Sequence, residues 1–409
     1  MGDGRQSSAS DNTCVVTNAR LPMRSGMYQV AIAKGIVQSV EPMGVSVAKG
    51  EQIIDIANDW LSLGAVDLQI NGALGLAFPD LRLGRLDKLQ EICDFLWAQG
   101  VDGFCPTLVT TSLENFHGSL EAIATFRSKQ TATDRTAKVL GVHLEGPCLN
   151  KEKRGAHPAE YLQPLTLETV ESVVKEFASE VSIMTLAPEI ATDLAAIDWL
   201  IERGITVSLG HSLCSAKQAT QAFDRGASMV THAFNAMPGL HHREPGLLGA
   251  AMTDPRAFCG FIADGQHINI TMLDLLLRAG RGGLHKELDG LFLVSDALSP
   301  LGLPDGIYPW DAREIEVVNG TAMLADGTLS GTTLSLIAGA QNLVAWELCS
   351  VEEAISLVTQ APRRAVGLTQ NAIAPGSPAC FLRWHQNETV QPPSRKTALA
   401  LTWQRLNLQ

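Results

Sequence analysis

The sequence has few aromatic residues, no long hydrophobic run and no paired cysteine motif. Aromatic residues make up 5% of the 409 residues. No apolar stretch approaches the roughly 20 residues that a membrane-spanning helix needs, and the opening MGDGRQSSASDNT lacks the apolar core of a secretory signal. The eight cysteines are scattered without a Cys-x-x-Cys pair, which is typical of a reduced compartment. We therefore expect a cytoplasmic protein with no membrane partner.

Positive charge is also scarce. The chain carries 31 Lys and Arg against 43 Asp and Glu, a net charge of −12, and no long basic run interrupts this balance. Such a field repels nucleic acid, so we expect no nucleic-acid partner. The 45% hydrophobic content is high enough to exclude disorder as the main state. Composition alone therefore indicates a sizeable folded α/β protein.

The middle of the chain alternates apolar, strand-like runs with amphipathic, helix-like runs. The strand-like runs recur near Leu63, Phe104, Val139, Ile183, Ile205, Met229, Phe258 and Leu291. Helical periodicity fills the gaps, for example over 87–99 and 193–203, and each of these runs stops at a glycine. Eight such units in about 250 residues predict an α/β fold of the (β/α)8 TIM barrel type. A doubly wound sheet is the alternative, but no Gly-x-Gly-x-x-Gly turn follows the first strand.

The two chain ends have a different pattern from the middle. Residues 1–12 are small and polar and predict a disordered tail. Short β-like pieces over 13–59 and 376–409 predict a small β-sandwich domain formed by both chain ends, which leaves 60–375 for the catalytic barrel. Within the barrel segment, Asn319-Gly320 and Asp326-Gly327 indicate hairpins that overhang the barrel mouth.

Polar side chains follow several of the predicted barrel strands at the point where each strand ends. Glu145 ends the third strand, His211 the fifth, His232 the sixth and Asp296 the eighth. The carboxyl ends of barrel strands surround one mouth, so these groups should converge. Two imidazoles and a carboxylate suit a divalent metal such as zinc, although a histidine that stands alone at a strand end is usually a structural residue. His143 shares a strand face with Glu145, and we assign it a supporting role.

Nine short segments occur in the order and spacing of a known family. They are 64–72 (GAVDLQING), 143–147 (HLEGP), 186–189 (LAPE), 210–212 (GHS), 231–237 (THAFNAM), 243–246 (REPG), 264–267 (DGQH), 295–297 (SDA) and 327–331 (GTLSG). On these segments the chain resembles the N-acetylglucosamine-6-phosphate deacetylases of the amidohydrolase superfamily, from about residue 58 to residue 376. The resemblance implies a barrel of the metal-dependent amidohydrolase type.

The resemblance also implies a reaction. Glu145, His211 and His232 would hold one divalent metal ion per chain, with zinc preferred and iron, manganese or cobalt as alternatives. A metal-bound water would be the nucleophile, and Asp296 would act first as general base and then as general acid. The implied activity is hydrolysis of the acetamide of N-acetyl-D-glucosamine 6-phosphate to D-glucosamine 6-phosphate and acetate, in amino-sugar catabolism.

A second metal site is not expected. Many amidohydrolases carry His-x-His at the end of the first strand, whereas this chain has Gln69 and Asn71 there. Neutral amides are poor zinc ligands. We therefore predict that the second-metal position is vacant and that the centre is mononuclear.

Substrate-binding positions are likewise implied by the resemblance. They are Ala156, His157, Asn235, Ala236, Arg243, His267, Leu329, Ser330 and Gly331. His157 would be a catalytic donor to the carbonyl oxygen of the substrate. Arg243 would grip the phosphate with two parallel hydrogen bonds, and it would do so in the site of a neighbouring subunit. A homodimer or higher homo-oligomer is therefore expected.

Two alternatives stay open at this point. The same chemistry on another acetamido-sugar phosphate, such as N-acetylgalactosamine 6-phosphate, differs by the orientation of one hydroxyl group, which sequence spacing does not determine. A catalytically silent barrel that only binds a sugar phosphate is the other. Such a protein would have no need to retain Glu145, His211, His232 and Asp296 together.

Overall fold

The structure, a computed structural model, describes residues 13–44, 52–131, 134–282, 290–369, 372–387 and 401–408. The predicted disordered tail, 1–12, lies outside the described residues. Contacts between Cα atoms divide the chain into two compact units. One comprises 1–64 and 370–409, and the other comprises 65–369.

The N-terminal part of the smaller unit consists of strands. They are β1 Thr13–Ala19, β2 Tyr28–Ala33, β3 Ile36–Pro42, β4 Gln52–Asp55 and β5 Trp60–Ser62. The first four form one sheet in the order β3-β2-β1-β4, in which β1 and β4 are parallel and the other pairs are antiparallel. Val16, Val30 and Ile32 point into its apolar core.

The larger unit is built on parallel strands. Its strands up to residue 293 are β6 Ala65–Ile70, β7 Gly72–Ala73, β8 Leu76–Ala77, β9 Val101–Val109, β10 Lys138–Val139, β11 Val142–Glu145, β12 Val181–Leu186, β13 Thr206–Leu209, β14 Met229–Val230, β15 Phe258–Phe261 and β16 Leu291–Leu293. Eight of them pair in parallel in the order β6-β9-β11-β12-β13-β14-β15-β16. Just beyond β16, the Asp296 N–H donates to the Gln69 carbonyl (2.9 Å) and Ala297 accepts from the Asn71 N–H (2.7 Å). These bonds return the sheet to its first strand, so the predicted barrel is confirmed.

Helices separate the barrel strands. The described α-helices are α1 Leu86–Ala98, α2 Leu113–Arg127, α3 Leu167–Val174, α4 Ala195–Glu202, α5 Ala216–Asp224, α6 Gly246–Thr253, α7 Ile270–Gly282, α8 Leu336–Ala345, α9 Val351–Val358 and α10 Gln360–Ala365. The first and fourth agree with the helices predicted over 87–99 and 193–203. Gly100 and Gly204 follow their ends with φ of 84° and 73°, the left-handed conformation that favours glycine. Over the described ranges, no helix is long and apolar enough to cross a membrane.

An antiparallel sheet follows the eighth barrel strand. It consists of β17 Gly306–Trp310, β18 Arg313–Val318, β19 Thr321–Leu324 and β20 Leu329–Thr332, in sequence order. The predicted turn at Asn319-Gly320 joins β18 to β19, and a further tight turn at Asp311-Ala312 joins β17 to β18. The Thr332 N–H donates to the Asp296 carbonyl (3.0 Å), which ties this sheet to the end of the barrel.

Two strands end the described chain. They are β21 Cys380–Gln386 and β22 Leu401–Asn407, and they form a sheet in the order β22-β21-β5. The C-terminal strands were expected to pair with N-terminal strands, and their partner is β5. Within the predicted β-like segment 376–409, residues 388–400 and 409 lie outside the described residues. Leu61 and Phe381 join Val16 and Ile32 in one apolar cluster, so both sheets of the unit share a core, as a small β-sandwich requires.

Candidate active site

Three buried side chains meet at the carboxyl ends of the barrel strands. Glu145 is the last residue of β11, His211 follows β13 by two residues and His232 follows β14 by two residues. Glu145 Oε1 lies 3.1 Å from the Nε2 atom of each histidine, and the two Nε2 atoms lie 3.0 Å apart. This group, called the ligand cluster below, could hold a metal ion. It contains the three residues that the resemblance implies as metal ligands.

The backbone is strained where these side chains begin. His211, His232 and Asp296 have φ of 49°, 27° and 47°. For a residue other than glycine, such a conformation costs on the order of 1 kcal/mol and persists only where the surrounding structure imposes it. Strained backbone therefore supports three of the four side chains on which the predicted chemistry depends.

The hydrogen-bonding pattern of the ligand cluster fits a cation. His211 Nδ1 lies 2.8 Å from the Lys153 carbonyl, which can only accept, so Nδ1 carries a proton and Nε2 is the nitrogen that a metal ion would bind. This Nε2 atom faces Glu145 Oε1 (3.1 Å) and His232 Nε2 (3.0 Å). His232 Nδ1 has no hydrogen-bond partner among the described residues. A divalent metal would bind these three atoms together, and a carbonyl partner behind an imidazole is what metal-ligating histidines usually have.

The same contacts determine the charge of Glu145. Burial alone would raise the pKa of its carboxyl group, but hydrogen bonds and charges from His211 and His232 outweigh burial and hold the pKa well below its usual value. The carboxylate is therefore ionised, as a metal ligand must be.

Two amide side chains separate the ligand cluster from Asp296. Gln69 Nε2 donates to Glu145 Oε1 (3.1 Å) and to Asp296 Oδ1 (3.2 Å). Asn71 Nδ2 donates to the same Asp296 oxygen (2.7 Å). Carboxylates only accept, so both amides must present their N–H groups here. At the predicted second-metal position, these two side chains thus direct N–H groups at the carboxylates.

Asp296 is buried beside these amides. Burial and, to a smaller extent, the negative charge of Glu145 raise the pKa of the Asp296 carboxyl group to about 6. A carboxyl group with that pKa exchanges a proton readily near neutral pH, which suits a general base.

His157 presents an N–H group toward the ligand cluster. The backbone N–H of Thr110 donates to His157 Nδ1 (3.3 Å), and the Thr110 hydroxyl lies 2.9 Å from the same atom. Nδ1 is therefore an acceptor and Nε2 carries the proton, 4.0 Å from Glu145 Oε2. Burial and the nearby His211 charge lower the pKa of His157 to about 3, so the ring is a neutral donor.

Two arginines hold the loop that carries His157. Arg154 Nη1 donates to the His157 carbonyl (2.7 Å), and Arg313 Nη2 donates to the Ala156 carbonyl (2.7 Å). Arg313 also pairs with Asp311 across the β17–β18 turn (2.5 Å). Sequence reasoning placed hairpins over the barrel mouth but did not identify these residues. The only sequence signal for Arg313 was the charged Asp311-x-Arg313 turn between two strand-like segments.

Most of the predicted substrate-binding residues line one pocket around the ligand cluster. Those that line it are Ala156, His157, Asn235, Ala236, His267, Leu329 and Ser330, together with Asn71 and Asp296. Val109, Trp310 and Asp311 also line it and were not predicted. Gly331 is buried in β20 instead, and a Cβ atom there would lie 2.6 Å from the Asp296 carbonyl oxygen.

Arg243 and His267 differ in their surroundings. Arg243 is exposed and is not among the residues that line the pocket. His267 lies in the pocket wall, where its Nδ1 atom contacts Asp264 Oδ2 (2.6 Å). Because that carboxylate oxygen accepts, Nδ1 is protonated and Nε2 is the nitrogen left for a ligand.

The barrel is shared with several solved structures. An enamidase of the amidohydrolase superfamily has a TM-score of 0.56 at 13% identity, covering 91% of this chain and 86% of that one, which shows the fold. N-acetylglucosamine-6-phosphate deacetylase from Pasteurella multocida has a TM-score of 0.79 at 27% identity, covering 91% and 95%. The enzyme of that name from Thermotoga maritima has a TM-score of 0.75 at 28% identity, covering 90% and 94%. Fold and site together define an amidohydrolase.

Curated relatives narrow the class further. The chain is 37% identical over 316 residues to N-acetylglucosamine-6-phosphate deacetylase of Bos taurus, covering 75% of each chain. It is 35% identical to the human protein of that name, covering 78% of this chain and 77% of that one. N-acetylgalactosamine-6-phosphate deacetylase of Escherichia coli O157:H7 is 32% identical, covering 89% and 92%. No family model matches the chain. The chain belongs to the N-acetylglucosamine-6-phosphate deacetylase family.

Proposed function

We propose that the protein hydrolyses the acetamide of N-acetyl-D-glucosamine 6-phosphate to D-glucosamine 6-phosphate and acetate. The observation that carries this proposal is a buried metal-binding cluster and an aspartate with a raised pKa, both in the wall of one pocket. The names of the relatives supply the substrate class. Six of the cysteines are buried thiols without a disulfide partner, which supports a reducing compartment such as the cytoplasm; they are Cys14, Cys93, Cys105, Cys148, Cys214 and Cys259.

We assign one divalent metal ion, zinc by preference, to Glu145, His211 and His232. When bound, such an ion polarises a carbonyl group and lowers the pKa of water toward neutrality. The proposal of a single ion is supported by Gln69 and Asn71. Their N–H groups point at the carboxylates where a second cation would need ligands.

Asp296 moves the proton in this proposal. Its ionised carboxylate accepts a proton from water during attack on the acetamide carbonyl, and it then donates that proton to the leaving amine. Asn71 and Gln69 both donate hydrogen bonds to Asp296 Oδ1, and these bonds fix the orientation of the carboxylate. His157 donates from Nε2 to the carbonyl oxygen, where negative charge develops.

The phosphate is assigned to the part of the pocket wall that the loops after β14 and β15 form. Asn235, Ala236 and His267 contribute from the loops after β14 and β15. Arg243 is exposed on its own chain, which supports a role for it in the site of a second subunit of a homodimer. Leu329, Ser330 and Ala156 would contact the sugar ring, with Gly331 allowing β20 to pass close to Asp296.

The phosphate assignment makes a kinetic prediction. The value of kcat/KM for N-acetylglucosamine 6-phosphate should exceed that for N-acetylglucosamine by about 10²-fold or more, because two hydrogen bonds to a charged group contribute about 1.5–3 kcal/mol each. Steady-state assays of acetate release measure the ratio. His267→Ala should reduce this preference. Equal turnover of the two sugars by the wild-type protein would exclude a phosphate-binding site.

N-acetylgalactosamine 6-phosphate is the second candidate substrate. It is favoured by one specific observation, the 32% identity over 89% of the chain to a deacetylase named for that sugar. Competition between the two sugar phosphates at equal concentrations in one assay decides between them, since the initial rates of product formation then have the ratio of the kcat/KM values. A silent, binding-only barrel is disfavoured by the complete ligand cluster and Asp296, and any metal-dependent turnover would exclude it.

The loop contact of Arg313 leads to a second prediction. Arg313→Ala should lower kcat/KM about tenfold, because it removes a charge-assisted hydrogen bond to the Ala156 carbonyl and loosens the loop that carries His157. The matched control is Arg278→Ala, which removes an exposed guanidinium paired with Asp274 on α7 (2.8 Å). The control should retain wild-type kinetics. An Arg313→Ala variant with unchanged kcat/KM would show that the loop needs no such contact.

A further inference from the structure

Four buried polar side chains form a continuous line of hydrogen bonds inside the barrel. His143 Nε2 lies 2.7 Å from Thr185 Oγ1. Thr231 Oγ1 lies 2.6 Å from Thr185 Oγ1 and 2.6 Å from Ser208 Oγ. None of the four residues is more than 3% exposed. We call this line the hydroxyl chain.

One backbone carbonyl determines the direction of every bond in the hydroxyl chain. His143 Nδ1 lies 3.1 Å from the Leu68 carbonyl, so Nδ1 is the donor and Nε2 of the neutral ring is an acceptor. Thr185 must then donate to His143, Thr231 to Thr185 and Ser208 to Thr231. Each hydroxyl has a single proton, so no alternative arrangement satisfies all the bonds.

The hydroxyl chain joins the strands that carry the ligand cluster. His143 precedes Glu145 by two residues on β11, and Thr231 directly precedes His232. Ser208 is on β13, three residues before His211. Thr185 is on β12, where it is the register partner of both Glu145 and Ser208. Each proposed ligand therefore has a member of the hydroxyl chain one to three residues before it, and Thr185 links these members through β12.

Gly210 leaves the space that the hydroxyl chain needs. A Cβ atom at this position would lie 2.8 Å from Thr231 Cβ and 3.0 Å from Thr185 Cγ2. Either distance is shorter than an ordinary van der Waals contact, so any side chain would push the two threonines apart. The residue immediately before His211 is thus suited to the close approach of Thr185 and Thr231.

We infer that the hydroxyl chain positions the metal ligands, and that it sets metal affinity by fixing the separation of β11, β13 and β14 at the level of the ligand cluster. Its members are positioning residues and do not contact the reacting atoms. Partners that support metal ligands typically change metal affinity by 10- to 100-fold when they are removed. The inference rests on the metal centre proposed above, and it extends the supporting role predicted for His143 to Thr185, Thr231 and Ser208.

Metal binding without substrate tests this inference. Thr185→Val keeps the shape of the side chain but leaves the His143 acceptor and the Thr231 donor unpaired. Its Kd for Zn²⁺, measured by competition with a chromogenic chelator, should rise about tenfold or more. The absorption bands of the Co²⁺-loaded protein should shift, because the ligand geometry changes. The Thr185→Ser variant keeps the hydroxyl group and should bind Zn²⁺ with wild-type affinity.

The matched control is Thr359→Val. This threonine is buried to the same extent, and its hydroxyl donates to the Ile355 carbonyl (2.7 Å) on α9, so it tests the loss of a buried hydroxyl elsewhere. It should lower the melting temperature without changing the Kd for Zn²⁺. Should Thr185→Val fail to fold, Thr231→Val breaks the adjacent bond and serves in its place. A folded variant that binds Zn²⁺ as tightly as wild type would overturn the inference, whereas a wild-type protein that binds no metal would overturn the proposed function itself.

Discussion

Asp296→Asn should lower kcat by about 10³-fold or more while metal binding is retained. The substitution keeps the size of the side chain but removes the group that accepts and returns the proton, and positioned acid–base groups contribute about 10²- to 10⁴-fold to rate. Asp296 is not one of the three cluster ligands, so the metal should remain. Acetate release measures kcat, and elemental analysis of the same samples measures metal content. Unchanged turnover would mean that another residue is the base.

The pH dependence provides an internal control for this result. Asp296 accepts a proton only when it is ionised, and burial and the Glu145 charge raise its pKa to about 6. In the wild-type protein kcat/KM should therefore fall with unit slope as pH decreases below about 6, and a bound cation would shift this limb to lower pH. His157 has a pKa lowered to about 3, so it should add no ionisation between pH 5 and 8. The residual activity of Asp296→Asn should lack the acidic limb.

Glu145→Gln should abolish both metal binding and activity. The Glu145 carboxylate is the only anionic member of the cluster and contacts both histidines at 3.1 Å. A neutral amide is a poor ligand and cannot offset the charge of a divalent ion. We expect metal content at background after dialysis and a loss of activity of about 10³-fold or more. Restoration of full activity by added Zn²⁺ would argue against this carboxylate as a ligand.

A second glutamate serves as the control for this substitution. Glu353→Gln changes a half-buried carboxylate that pairs with Arg281 (2.7 Å) and is not part of the ligand cluster. It should keep full metal content.

The wild-type protein should contain one equivalent of metal per chain, because the amides of Gln69 and Asn71 donate toward the carboxylates. Two equivalents would contradict the mononuclear centre.

The barrel was predictable because its strands are buried on both faces. A parallel strand of this kind appears in the sequence as a short apolar run, and β6 and β11 are buried along their whole lengths. The ligand cluster was predictable for a related reason, since a polar residue directly after such a run lies at the mouth of a barrel. Strand pairing at the chain ends was harder to predict from the sequence, because β5 has only three residues and gives almost no periodic signal.

Contacts between side chains far apart in sequence were not predictable. The bond from Arg313 to the Ala156 carbonyl joins residues 157 positions apart, and Thr110 holds His157 across 47 positions. Neither contact has a characteristic spacing or composition. The hydroxyl chain is similar, since buried threonines on strands are common and only the register of β11 to β14 brings these together.

The left-handed backbone at His211, His232 and Asp296 has a consequence for protein engineering. Glycine or asparagine would relieve the local strain at each of these positions, so a library selected for heat resistance alone would enrich such replacements. The enriched clones would fold well and have no catalytic function. Thermostabilisation of this protein therefore requires an activity screen in every round, or a design in which these three codons are held constant.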